Sequence, residues 1–164
     1  MLPLLILSTV FAEPVDVDVD VDVDAMSDQY KEVTFVIAAS ETSYSQAVLK
    51  AATLAEQSGI VFTSNGVNFD SKHKDDNEGL TYPKADCENN GWDYPCYVSR
   101  GRWDEGSYIT VEYSSAIQGF TPGLYVVIAA SGPKDTLVPY FNTVKHFVPD
   151  AYMKTSSVYV GCMH

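Results

Sequence analysis

Arginine is nearly missing from this 164-residue chain. Arg100 and Arg102 are the only two, and with the lysines they face 22 acidic residues, leaving a formal net charge of −12 at pH 7. Seven of the acids (Glu13, Asp16, Asp18, Asp20, Asp22, Asp24 and Asp28) precede Tyr30, where no Lys or Arg occurs, so the rest of the chain carries about −5. So little positive charge argues against a phosphate backbone or an anionic membrane surface as partner. Long apolar runs are also lacking, since no segment reaches the roughly 18–20 residues that span a bilayer. Histidine occurs three times, as His73, His146 and His164, and no Gly-x-Ser-x-Gly elbow, His-Glu-x-x-His pair or phosphate-cradling glycine loop accompanies it. His73 sits in a solvated charge run and His146 beside Lys145 on a helical segment. No enzyme and no cofactor is expected from these residues.

Cysteine is scarce as well. Cys87 and Cys96 bracket a short loop, DCENNGWDYPC, and read as a disulfide in an exported chain. Cys162 is left over, in the terminal Gly161-Cys162-Met163-His164. Those soft and borderline donors are too few for a metal site, so a small buried Cys finishing a strand is the preferred reading. Export itself is read from Met1 to Ala12 (MLPLLILSTVFA), an apolar run ending in a small-x-small step before Glu13. Residues 13–29 follow as an acidic Val-Asp tether. The expected compartment is periplasmic or extracellular, and residues 30–164 form one domain.

What is present is an internal repeat. Val36-Ile37-Ala38-Ala39-Ser40 recurs as Val127-Ile128-Ala129-Ala130-Ser131. Each copy reads as a buried strand followed by a helix. After the first, Ser43 and Gln46 have capping-box spacing, Ala47, Ala51, Leu54 and Ala55 share a face, and Gly59 ends the helix. Ser residues near Ser40 and Ser131 are expected to cap helices rather than attack substrates. After the second copy, Leu137, Phe141, Val144 and Phe147 make an apolar stripe, with Pro139 placed in a first turn and Pro149 as terminator. Ile60–Phe62 and Val158–Val160 read as strands. Residues 65–93 read as a long polar loop insertion. Tyr94–Trp103 and Ser107–Tyr113, parted by Asp104-Glu105-Gly106, read as a β-hairpin. Two βαβ-type halves with antiparallel or mixed pairing predict an α+β, ferredoxin-like sandwich with both helices on one face of the sheet.

The segment Leu124–Ser131, the amphipathic helix after it, Pro149-Asp150-Ala151-Tyr152-Met153-Lys154 and the terminal strand resemble the SPOR domain family, with an echo at 33–64. Val127 or Ile128 stands where that family has Gln, and Ala129-Ala130-Ser131 where it has Gly-Ser-Phe. The resemblance implies a βαββαβ module of exported bacterial proteins that binds peptidoglycan glycan strands across an exposed sheet face. The residues themselves offer aromatic and arginine side chains for such a surface. Trp92, Tyr94, Tyr97, Trp103, Tyr108 and Tyr113 cluster in sequence with both arginines. Aromatic rings stack on sugar faces, and Arg hydrogen-bonds hydroxyl or carboxylate groups. The competing reading is an aromatic β-rich core in which Arg100 pairs with Glu112. The candidate ligand-binding set is Trp92, Tyr97, Arg100, Arg102, Trp103, Tyr108 and Tyr125. The expected function is non-catalytic binding of peptidoglycan or another envelope glycan. The alternative is a secreted protein-interaction or inhibitor domain that uses the 65–93 loop.

Overall fold

The structure, a computed structural model, describes residues 29–74 and 77–162. The signal-like segment, nearly all of the Val-Asp tether, and Met163 and His164 lie outside the described residues. Strand β1 (Tyr30–Glu41) leads to helix α1 (Tyr44–Ser58), short strands β2 (Asn68–Phe69) and β3 (Leu80–Thr81), and helix α2 (Lys84–Asn89). Strand β4 (Thr110–Tyr113), strand β5 (Tyr125–Gly132), helix α3 (Lys134–Phe147) and strand β6 (Tyr152–Tyr159) follow. The main sheet has the order β4-β5-β1-β6 and every pairing is antiparallel. That is the ferredoxin-like α+β arrangement: β1-α1-β4 and β5-α3-β6 are two split βαβ units whose strands interleave. Among the described residues, no helix is long and apolar enough to cross a membrane.

The repeated Val-Ile-Ala-Ala-Ser segment forms the two central strands. Ile37 pairs with Ile128, and the β1–β5 register shifts by one residue on either side of that pair. A one-residue shift turns a strand over, because side chains alternate between faces. Hence Val36 and Val127 face the helices, Ile37 and Ile128 face away, and both alanines of each copy turn back to the helix side. Small side chains are what such a pair of consecutive same-side positions admits under a packed helix.

Helix α1 buries Ala47, Ala51 and Leu54, and α3 buries Leu137 and Val144. Gly59 closes α1 in the left-handed conformation (φ 73°), its N–H donating to the Ala55 carbonyl at 2.9 Å. The anticipated side-chain cap is not made: Ser43 Oγ meets Ser45 Oγ at 2.9 Å, and the Ser43 carbonyl accepts from Ala47 N–H. Ser131 caps nothing either, being buried and bonded to Arg100. Pro139 lies inside α3, which begins at Lys134, rather than in its first turn.

Three further expectations are modified. Ile60–Phe62 makes only a parallel bridge, Phe62 to Ile109. Residues 65–93 carry the β2–β3 ladder, two 3₁₀ turns and α2, and they reach the core through Val67 and Leu80. The hairpin does not form, because Tyr94–Trp103 has no strand and Ser107–Tyr113 contains only β4. Instead, while Tyr97 packs on the helix-side cluster, the chain at Gly101 and residues 117–120 lie against the sheet face opposite the helices. There Ile117 and Phe120 pack on Val33, Phe35, Ile37, Val126 and Ile128. Gly101 (φ 110°) passes so close that a Cβ there would sit 2.7 Å from the Phe35 ring.

Candidate functional site

Arg100 ties the irregular chain to β5 and to the segment that enters β4. Its side chain is 1% exposed. Nε donates to Ser131 Oγ (2.9 Å), and Nη1 donates to the Tyr108 carbonyl (2.6 Å), the Ile128 carbonyl (3.2 Å) and Thr110 Oγ1 (3.3 Å). Nη2 donates to the Gly106 carbonyl at 2.6 Å. One guanidinium thus satisfies carbonyls of β5 and of the chain that enters β4. Its carbon lies 3.7 Å from the centre of the Tyr108 ring. Burial pushes the guanidinium pKa down.

Beside it, Glu112 is buried on β4 and accepts from the Tyr97 hydroxyl and from Arg100 N–H (3.3 Å). The Arg100–Glu112 contact therefore runs through the Arg100 backbone, not its guanidinium. Desolvation holds the Glu112 carboxyl above its usual range, and burial followed by the Glu112 charge drives the Tyr97 hydroxyl well upward. Burial, relieved in part by Arg100, raises Tyr108 to about 12. Tyr125 is 2% exposed on the helix side, against Tyr44 and Phe69, with its hydroxyl donating to the Glu78 carbonyl at 2.5 Å. Arg100, Tyr108 and Tyr125 are therefore holding the fold together rather than presenting a surface.

The other candidates converge. Trp92, Arg102 and Trp103 line a cleft of about 390 Å3 together with Asn65, Tyr82, Asp86, Asn90, Val98, Ser99 and Asp104. Its construction follows from the local sequence. The Cys87–Cys96 disulfide ties α2 to the segment that enters the second face. Thr81 Oγ1 accepts from Cys96 N–H and donates to the Cys96 carbonyl, both at 3.1 Å. Asp86 and Asn90 therefore stand beside Trp92 on one wall. On the other, Asp104 accepts from Gly101 N–H (2.8 Å) and Asn65 Nδ2 (3.3 Å), fixing the turn that carries Trp103. Trp103 is 70% exposed and lies 4.1 Å beneath the Arg102 guanidinium. The Tyr82 hydroxyl donates to the Val98 carbonyl at 3.3 Å.

Tyr97, by contrast, lines a neighbouring cleft on the far side of the Val98–Arg102 wall. Asn65, Tyr82, Asp86, Asn90 and Asp104 were not singled out from the sequence. No local signal marks them: they reach the cleft through the fold of residues 65–93 and the turn at Asp104.

Among the described residues, no His, Cys, Asp and Glu group is placed to hold a metal ion. His73 stacks edge to face on Tyr94 at 5.1 Å, His146 packs on Phe147, and Cys162 is exposed and free of any disulfide. No family model, no curated protein and no solved structure matches the chain.

Proposed function

We propose that this protein is a non-catalytic binding module for a glycan, held in the cleft between Trp92 and Trp103. The observation that carries this reading is the composition of the cleft: two tryptophans and Tyr82 together with Asn65, Asp86, Asn90 and Asp104. Indole faces stack on the apolar faces of sugar rings, while amide and carboxylate groups take the hydroxyls. A rigid rim favours binding, and the disulfide on one side and the Asp104-held turn on the other supply it.

Among the described residues no histidine lines either cleft, and the Ser99 hydroxyl donates to the Ala116 carbonyl at 3.0 Å, so the reading gives the cleft's two carboxylates, Asp86 and Asp104, the role of accepting from ligand hydroxyls. The disulfide and the signal-like start support an exported, oxidising location. Peptidoglycan glycan is the first polymer to test, on the strength of the SPOR resemblance. The sheet face that the resemblance would use is covered by Gly101, Ile117 and Phe120, so the ligand is assigned to the cleft beside that cover.

Co-sedimentation with purified sacculi and with a panel of insoluble polysaccharides tests the proposal. The unaltered protein is expected to pellet with at least one of them, and Trp103→Ala to bind it about tenfold more weakly. Trp103 is largely exposed, so the variant is expected to keep its folded circular-dichroism spectrum. Binding to none of the polymers, or unchanged binding by a folded Trp103→Ala, overturns the reading.

A further inference from the structure

The second cleft, about 300 Å3, differs from the first in its charge. Tyr30 and Tyr159, edge to face at 5.3 Å, and Tyr97 supply its rings, and Gln118 and Ser157 its neutral polar groups. Among its lining residues Arg102 alone is charged, whereas Asp86 and Asp104 line the first cleft.

Arg102 is shared by both. Its guanidinium lies 4.1 Å from the Trp103 ring and 5.2 Å from the Tyr159 ring, so it links the aromatic groups of the two clefts. The residue is only 6% exposed. Nη2 donates to the Gly161 carbonyl, while the buried Nε has no acceptor among the described residues. An arginine desolvated between two rings with a donor unmet is short of an oxygen acceptor.

We infer that the second cleft is a further subsite of the same glycan site, taking a sugar residue that bears a carboxylate, with Arg102 as its partner. This rests on the glycan reading of the first cleft. A carboxylate matches the planar fork of a guanidinium and can accept from two of its nitrogens at once. The two aspartates of the first cleft direct an anionic residue away from themselves and a neutral one toward the tryptophans. The ligand is therefore an oligosaccharide of mixed character, a carboxylate-bearing sugar (a uronic acid or a sugar with a lactyl ether) beside a neutral one, crossing the Val98–Arg102 wall.

An array of neutral and carboxylate-bearing oligosaccharides, probed with the full chain, tests the inference. It is followed by calorimetric titration of the tightest acidic oligomer against its own methyl ester. The ester is expected to bind about 10- to 100-fold more weakly than the acid. Arg102→Gln is expected to erase the difference between acid and ester, while Trp103→Ala weakens both. Because Arg102→Gln removes a packed side chain, the acid–ester comparison on the unaltered chain decides alone should the variant not fold. Neutral oligosaccharides binding as well as acidic ones, or ester equal to acid, overturns the subsite and leaves the Trp92–Trp103 site standing. Binding to no member of the array overturns both.

Discussion

The two faces of the central sheet are covered by different physics. On one, α1 and α3 lay Ala47, Ala51, Leu54, Leu137 and Val144 over the alanine-rich repeat, and burial of apolar area is the main term. On the other, irregular chain crosses a smaller apolar patch. Its hold depends on a buried arginine that gathers three carbonyls and two hydroxyls. The first kind of cover tolerates changes that conserve volume, while the second fails when one group is lost, because several acceptors are then orphaned together. Both clefts border the irregular cover and neither borders α1 or α3, so the proposed binding would be coupled to stability on one side of the sheet only.

That contrast can be broken from either side. Arg100→Met is expected to have the largest effect, about 3–5 kcal/mol in urea denaturation, by leaving the carbonyls of Gly106, Tyr108 and Ile128 without their donor. It should also weaken glycan binding, since Val98–Trp103 loses its anchor. Leu54→Ala, at a fully packed helix position, should cost about 2–5 kcal/mol and leave affinity unchanged under conditions where the protein stays folded. Equal effects of the two on affinity would refute the coupling. Replacing Cys87 and Cys96 together by Ala should cost about 2–3 kcal/mol under the chain-entropy model and weaken binding at Trp92.

The smallest effect is a pH dependence. The folded pKa of Glu112 is raised, by desolvation first, so the folded state holds its proton more tightly than the unfolded chain. The stability this contributes is complete below the unfolded pKa and is lost as pH rises through the folded one. Glu112→Gln should therefore flatten stability against pH across that interval, measured by denaturation at a series of pH values. An unaltered slope would remove Glu112 as its source.

The helix-covered side was legible in the sequence, and the other was not. The Val-Ile-Ala-Ala-Ser repeat, the stripes of α1 and α3 and the Gly59 stop each rest on local pattern, and the structure contains them except that Phe147, at the end of the α3 stripe, is exposed. The Cys87–Cys96 pairing was equally local. The hairpin was misread because β-branched and aromatic residues around Arg100 alternate as a strand does. Tertiary hydrogen bonds such as those of the Arg100 guanidinium leave no mark in periodicity. Trp92, Arg102 and Trp103 were found as residue types, but Asp86, Asn90 and Asn65 were not. They reach the cleft through the fold of residues 65–93, which no local signal specifies.

The register of the central strands also has a consequence for the origin of the sheet. Ile37 and Ile128 are equivalent positions of the repeat, and they are the residues that face each other between the two shifts. A local two-fold axis therefore passes between them, exchanging β1-α1-β4 with β5-α3-β6, and the contact is isologous, as between the subunits of a symmetric dimer. The chain is in this sense a dimer fused into one polypeptide. The two isoleucines act as one contact counted twice, and Ile37→Val combined with Ile128→Val should depart from the sum of the single losses.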